Sequence, residues 1–178
     1  GTKIGMGWPE RFDVIEWIKL IISWDSNAQI ILHGVSMGAA TVLMASGEEL
    51  PENVKAIIAD CGYTSEWDEF KCEANALHIP WFPVLNAASV MSKLRDGYDF
   101  KQASALEKVK QSRIPTLFIH GSDDELVPYS MLDKLYSAAA CEKECLTVNG
   151  AGHALSSSVE PELYWNTVES FIDKYLEK

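Results

Sequence analysis

Between Glu10 and Trp24 the apolar residues Val14, Ile15, Ile18, Ile21 and Ile22 recur at helical spacing, with Asp13, Glu16 and Lys19 on the other side. That periodicity predicts an amphipathic helix. The rhythm then changes. Aliphatic runs without alternation at 29–34, 54–60, 115–120 and 144–149 predict strands buried on both faces, and the segments 37–47, 129–140 and 160–176 predict helices between and after them. Strand and helix in alternation, with strands apolar throughout, imply an α/β fold built on a mostly parallel sheet covered by helices on both faces. An insertion at about 63–110 interrupts the alternation. It holds two predicted helices, Glu66 to Leu77 and Val84 to Leu94, separated by His78-Ile79-Pro80-Trp81-Phe82-Pro83, whose prolines forbid one continuous helix. The chain reads as one domain, 1–178, carrying this insertion.

One strand end carries chemistry. Ile30-Ile31-Leu32-His33 runs into Gly34-Val35-Ser36-Met37-Gly38 and reopens as the helix former Ala39-Ala40-Thr41-Val42-Leu43-Met44-Ala45. Strand, Gly-x-Ser-x-Gly turn and helix together make a nucleophile elbow, which lifts a serine hydroxyl out of the sheet beside a general base. A buried serine between glycines can also be a packing device, and the strand and helix flanks favour the elbow. Gly34 and Gly38 are read as positions whose missing Cβ lets strand and helix cross closely, and the first N–H groups of the helix, Met37 foremost, point at a developing oxyanion.

Two further strand ends follow. Thr116-Leu117-Phe118-Ile119 leads into His120-Gly121-Ser122-Asp123-Asp124-Glu125-Leu126-Val127-Pro128, and Cys145-Leu146-Thr147-Val148 into Asn149-Gly150-Ala151-Gly152-His153. Open α/β sheets bind their ligands at such C-terminal strand ends. Serine, acid and histidine in that order, on these three motifs, resemble the α/β-hydrolase superfamily. More narrowly, the chain is similar to the bacterial serine-hydrolase branch related to peptidase families S33 and S9, along nearly all of its length.

The resemblance implies a catalytic triad of Ser36, Asp124 and His153. The family pattern His-Gly-x-x-Asp-x-x-Val-Pro lands its aspartate on Asp124, leaving Asp123 and Glu125 as loop carboxylates. Asp60 occupies the position that carries the acid in some relatives and is read as a structural carboxylate. His33 and His120, each before a glycine, are read as structural imidazoles, and His78 lies in the insertion. The implied activity is acyl transfer to water on an ester, thioester or small amide, a carboxylesterase first and a short-peptide serine peptidase second. A non-catalytic binding or interaction domain is the alternative from another class. No metal and no organic cofactor are implied. An insertion at this point is where the superfamily builds its cap, so Trp67, Phe70, Trp81, Phe82 and Met91 are candidates to line an acyl pocket, or simply pack the cap on the body.

The resemblance also begins in the middle of the fold. Gly1-Thr2-Lys3-Ile4-Gly5-Met6-Gly7 looks like the loop before the helix that precedes the nucleophile strand. The superfamily's first strands, and the His-Gly loop with the second oxyanion donor, would lie upstream, so this piece alone is expected to be deficient in activity. Gln29 to His33 would then be an apolar edge with neither Lys nor Pro to blunt it, which invites pairing with the missing N-terminal portion or with a second copy.

Composition narrows the partners. The 178 residues are 47% hydrophobic and 23% charged, ordinary for a globular domain with one substantial core. A net charge of -11 disfavours nucleic acid and anionic membranes as partners. No apolar run reaches the length of a membrane span. Cys61, Cys72, Cys141 and Cys145 show no metal-like spacing and are expected to be reduced thiols, a disulfide between Cys141 and Cys145 being conceivable but not implied. A cytoplasmic location is the expectation.

Overall fold

The computed structural model describes residues 4–176. Four strands, β1 (Ile30–Val35), β2 (Val54–Asp60), β3 (Thr116–Gly121) and β4 (Lys143–Val148), form one parallel sheet in sequential order. The crossovers are helical. The chain enters through α1 (Glu10–Trp24) and crosses from β1 to β2 through α2 (Met37–Ala45). It traverses the insertion between β2 and β3, crosses from β3 to β4 through α6 (Ser130–Ala138), and ends in α7 (Ser156–Val159) and α8 (Pro161–Ile172). The insertion contains α3 (Glu66–Ala76), α4 (Trp81–Asp96) and α5 (Ala105–Val109).

The non-alternating strands follow from burial on both sides. Ile57, Ala59 and Phe118 face a cluster with Ile18 of α1, Leu43 of α2 and Leu132 and Leu135 of α6. Ala56, Ile58, Leu117 and Ile119 face the other way, onto Tyr164, Val168 and Phe171 of α8. At about 25 cal/mol per Å² of apolar surface, two such layers are the main source of stability. β1 pairs on one side only, with β2, so the elbow strand is a sheet edge among the described residues. Its neighbour α1 buries Ile18 but leaves Trp17 and Trp24 61% and 71% exposed.

Differences from the sequence expectations are local. Short α5 and α7 carry too few turns to show a periodicity, and β3 extends through Gly121. In the insertion, α4 starts at Trp81 but breaks at Phe82 (φ -96°, ψ 131°) before continuing, as Pro80 and Pro83 require. Ser65 and Ser104 bridge across the insertion's base and cap α3 and α5 by accepting from the Asp68 and Glu107 N–H groups. Of the expected entry loop, residues 1–3 lie outside the described residues. Gly5 and Gly7 N–H donate to the Glu10 carboxylate, while the Tyr98 and Tyr63 hydroxyls donate to the Gly5 and Met6 carbonyls. All four cysteines are free, and no helix among the described residues is long and apolar enough to cross a membrane.

Candidate active site

Three strand ends meet at the C-terminal edge of the sheet. The turn after β1 holds Ser36 at φ 55°, ψ -118°, a region that costs a non-glycine residue about 1–3 kcal/mol and is held here by its surroundings. The Ser36 N–H donates to the Asp60 carbonyl at 2.8 Å, and α2 begins at the next residue. A Cβ on Gly34 would stand 2.3 Å from the backbone of Gly38, so glycine is obligatory there. The expectation for Gly38 itself needs correction. A Cβ at Gly38 meets nothing within 4 Å, because the close crossing is made by its backbone and not by the side on which a Cβ would lie.

The loops after β3 and β4 are laced together. Ser122 N–H donates to the Val148 carbonyl, Asp123 N–H to the Ala151 carbonyl, and Gly150 N–H to Ser122 Oγ. Gly121 permits the approach, since a Cβ there would lie 2.1 Å from the Ala151 carbonyl oxygen. This lacing brings Asp124 to His153. His153 Nδ1 lies 2.9 Å from Asp124 Oδ2, and Nε2 lies 2.7 Å from Ser36 Oγ. The three residues are thus joined in a hydrogen-bonded chain across the ends of β1, β3 and β4.

Asp124 is the acid in contact. Its Oδ1 accepts from Leu126 and Val127 N–H, and Oδ2 also lies 3.3 Å from His120 Nε2. Burial pushes its pKa up, and the hydrogen bonds from His120, His153 and Val127 more than offset that, holding it below the ordinary carboxylate value. Asp123 instead accepts from Ser122 Oγ at 2.6 Å on the exposed side. Asp60 accepts from Ser156 Oγ at 3.3 Å, and burial raises its pKa against the hydroxyls of Ser156 and Tyr164.

His120 does more than the sequence suggests. It is buried, its Nε2 lies 2.9 Å from the Val127 carbonyl, and it supports Asp124 from below. The spacing His120 to Asp124 was the available signal. His33 contacts the Tyr164 hydroxyl at 3.0 Å, as a structural imidazole would. Cys61, in left-handed backbone (φ 47°) just past β2, is fully buried beneath the site. Burial pushes its thiol up to about 12. Its sulfur, a carboxylate oxygen of Asp124 and a ring nitrogen of His153 all lie within 4.8 Å of one another. No sequence spacing could reveal that grouping, because the three residues come from three different strand ends.

Met37 is the first residue of α2, where N–H groups have no intrahelical partner. The predicted pocket residues separate. Phe70 and Trp81 line an apolar cavity of about 280 Å³ together with Ile79, Leu85 and Phe100. Trp67 packs edge-on against Trp81 without lining it. Phe82 and Met91 are not on its wall. They are 66% and 61% exposed, because the break at Phe82 turns that ring outward and the side of α4 that buries Leu85 and Ser89 is not the side that carries Met91.

The model of the prolyl oligopeptidase family matches residues 9–178. The chain belongs to the prolyl oligopeptidase family. Among its relatives, YqkD of Bacillus subtilis is 29% identical over 175 residues, which are 97% of this chain and 57% of that protein. The lysophosphatidylserine lipase ABHD12 of Macaca fascicularis is 30% identical over 131 residues, 74% of this chain and 32% of the lipase. The chain therefore spans about half the length of the curated relatives it matches, or less. Among solved structures, the Pyrococcus furiosus esterase Pf2001 superposes with a TM-score of 0.77 at 19% identity, covering 99% of this chain and 66% of the esterase. The Pyrococcus horikoshii acylaminoacyl peptidase superposes at 0.72 and 16% identity, over 95% of this chain and 28% of the peptidase. The prolyl oligopeptidase family member described here thus has the α/β-hydrolase fold, represented by four of its parallel strands.

Proposed function

We propose that the protein is a serine hydrolase that transfers an acyl group to water through Ser36, His153 and Asp124, acting as a carboxylesterase on an ester or thioester with a modest apolar acyl group. The observation that carries this reading is the continuous hydrogen-bonded chain from Ser36 Oγ through both nitrogens of His153 to Asp124. His153 Nε2 takes the hydroxyl proton as Oγ attacks the carbonyl carbon, and Nδ1–H donates to Asp124, which fixes the tautomer and stabilises the imidazolium. The proton then passes to the leaving alkoxide or thiolate. Water attacks the acyl-enzyme with His153 as base, and the Met37 N–H holds the oxyanion at both stages.

The apolar cavity beside Phe70 and Trp81 supports an apolar acyl group. Its wall is built from Phe70 and Ala74 of α3 and from Trp81, Val84, Leu85 and Ala88 of α4. A short-peptide peptidase is the second reading, favoured by membership of the prolyl oligopeptidase family and by the resemblance to the acylaminoacyl peptidase. The test is labelling of the full-length protein with a fluorophosphonate probe, followed by comparison of kcat/KM for p-nitrophenyl esters of two to eight carbons and for peptide p-nitroanilides. Labelling at Ser36 with ester turnover dominant is expected. Absence of labelling at Ser36 in folded protein overturns the hydrolase reading, and dominant anilide turnover selects the peptidase.

A further inference from the structure

Cys61 has no part in the chemistry just described, yet its sulfur is packed against two members of the triad. We propose that Cys61, His153 and Asp124 form an inhibitory site for a borderline-soft divalent cation of the zinc type, which switches the hydrolase off by taking the place of the proton between His153 and Asp124.

The donor set is one thiol sulfur, one imidazole nitrogen and one carboxylate oxygen, drawn from the ends of β2, β4 and β3 and all within 4.8 Å of one another. Sulfur, nitrogen and oxygen donors together suit zinc or cobalt and exclude magnesium and calcium, which take oxygen ligands. Zinc bonds of about 2.0–2.3 Å place tetrahedral ligand atoms roughly 3.3–3.8 Å apart, so a pair at the 4.8 Å limit closes by about 1–1.5 Å while His153 Nδ1 and Asp124 Oδ2, at 2.9 Å, open by about half an ångström. Three protein ligands leave the fourth position to water. Cys61 and Asp124 are buried, while the His153 side chain is 20% exposed, so the ion enters past the imidazole. The second support of Asp124 persists on loading, because its Oδ1 keeps the Leu126 and Val127 N–H groups.

Inhibition follows from the tautomer. The nitrogen that faces Asp124 is Nδ1, at 2.9 Å, so an ion held by both residues engages Nδ1. On binding, the Cys61 S–H bond breaks and its proton goes to solvent as the metal–sulfur bond forms. The proton on Nδ1 is displaced and is carried by Nε2 instead, so the net release is one proton. Nε2, 2.7 Å from Ser36 Oγ, is then a donor and can no longer accept the serine proton. The ion therefore blocks the general base without touching the substrate carbonyl.

This inference rests on the triad reading for its activity readout, so the test has a second readout that does not. The full-length protein, freed of metal, is titrated with cobalt chloride while the near-ultraviolet cobalt–thiolate charge-transfer band is followed, and ester hydrolysis is measured in graded zinc chloride with reversal by EDTA. Expected are one cobalt per chain with a thiolate band, at least tenfold loss of hydrolysis in zinc, and full recovery in EDTA. Cys61→Ala should abolish the band and raise the half-inhibiting zinc concentration at least tenfold, while Cys145→Ala, which removes an exposed thiol, should change neither. If Cys61→Ala fails to fold, His153→Ala serves, and should weaken cobalt binding at least tenfold with the thiol intact. A band that survives Cys61→Ala, unchanged zinc inhibition of that variant, or no band in the wild type overturns the proposal. A protein that shows the Cys61-dependent band but hydrolyses neither esters nor amides would refute the proposed function and leave the metal site standing.

Discussion

Replacing Glu66 by Gln should stabilise the protein above neutral pH and lose that advantage in mild acid. Glu66 lies in the first turn of α3, is 3% exposed, and its Oε2 is buried without a hydrogen-bond partner. Burial, reinforced by the charges of Glu10 and Asp96, pushes its pKa from an ordinary 4.5 to about 8. The folded state therefore holds a proton that the unfolded chain gives up. Between pH 4.5 and 8 the unfolded state binds fewer protons than the native one, so stability falls as pH rises. Below 4.5 both states are protonated and the penalty is absent. At 1.36 kcal/mol per pH unit the displacement corresponds to at most roughly 5 kcal/mol above pH 8, and relaxation around the carboxylate reduces it, to about 2 kcal/mol or more. Gln keeps the shape and carries no charge.

The quantity to measure is the difference in unfolding free energy between Glu66→Gln and wild type from pH 5 to 9, by urea titration with tryptophan fluorescence. Taking the difference cancels every titrating group that is not coupled to Glu66 and any cost of the Gln amide that does not depend on pH. The difference should grow in favour of Glu66→Gln by about 2 kcal/mol or more across that range. Parallel pH profiles would refute the reasoning, and a wild type that gains on the variant with rising pH would show that a cation faces Glu66 in solution.

The kinetic expectations concern the intact protein: Ser36→Ala or His153→Ala should each lower kcat by about 10⁶ with the double variant scarcely worse, and Asp124→Asn by about 10⁴. Ester hydrolysis by Ser36→Ala within tenfold of wild type would displace Ser36 as nucleophile. Gly34→Ala should cost about 3 kcal/mol or more, because its methyl would meet Gly38 backbone at 2.3 Å, whereas Gly38→Ala should stay within about 1 kcal/mol. Equal losses at the two glycines, read by thermal melting, would refute the asymmetry. The 178-residue polypeptide alone should associate through the open edge of β1, giving a light-scattering mass above 19.8 kDa. A soluble monomer at micromolar concentration would show that the edge is covered.

The parts of this structure legible in the sequence are those set by local pattern. The strands could be read because burial on both faces removes alternation, as in Ala56-Ile57-Ile58-Ala59, whose members point to opposite layers. The elbow could be read because a strained serine needs Gly34 before it and a helix after it. Long-range facts were not legible. Nothing around Cys61 signals that the loop after β4 folds over its sulfur, and nothing around Glu66 or Glu69 signals burial, since both stand in a helical first turn where acidic residues are usually solvated. The pocket was half legible. Aromatic residues mark the insertion as apolar, but which of them face inward depends on the break at Phe82, and a proline pair fixes that a break exists without fixing its direction.

The carboxyl groups around the site are sorted by the donors each receives. Asp124 takes two backbone N–H groups on one oxygen and lies beside two imidazoles on the other, and it is held below the ordinary range in spite of full side-chain burial. Asp60 receives two hydroxyls, weaker donors than a charged or backbone group aimed at an ion, and burial wins. Glu69, with a buried oxygen that has no partner, is pushed up to about 7. Asp124 and Asp60 both interact electrostatically with the His153 imidazole. Only Asp124 combines contact with His153 and an environment that keeps it ionised, which is the separation of roles an acid–base site requires. The same sorting explains how a chain with a net charge of -11 can hold one defined Ser36–His153–Asp124 hydrogen-bonded chain: the carboxylate facing His153 is kept in place by the hydrogen bonds that the loop Asp124 to Val127 closes on itself, and the excess of carboxylates elsewhere does not enter that choice.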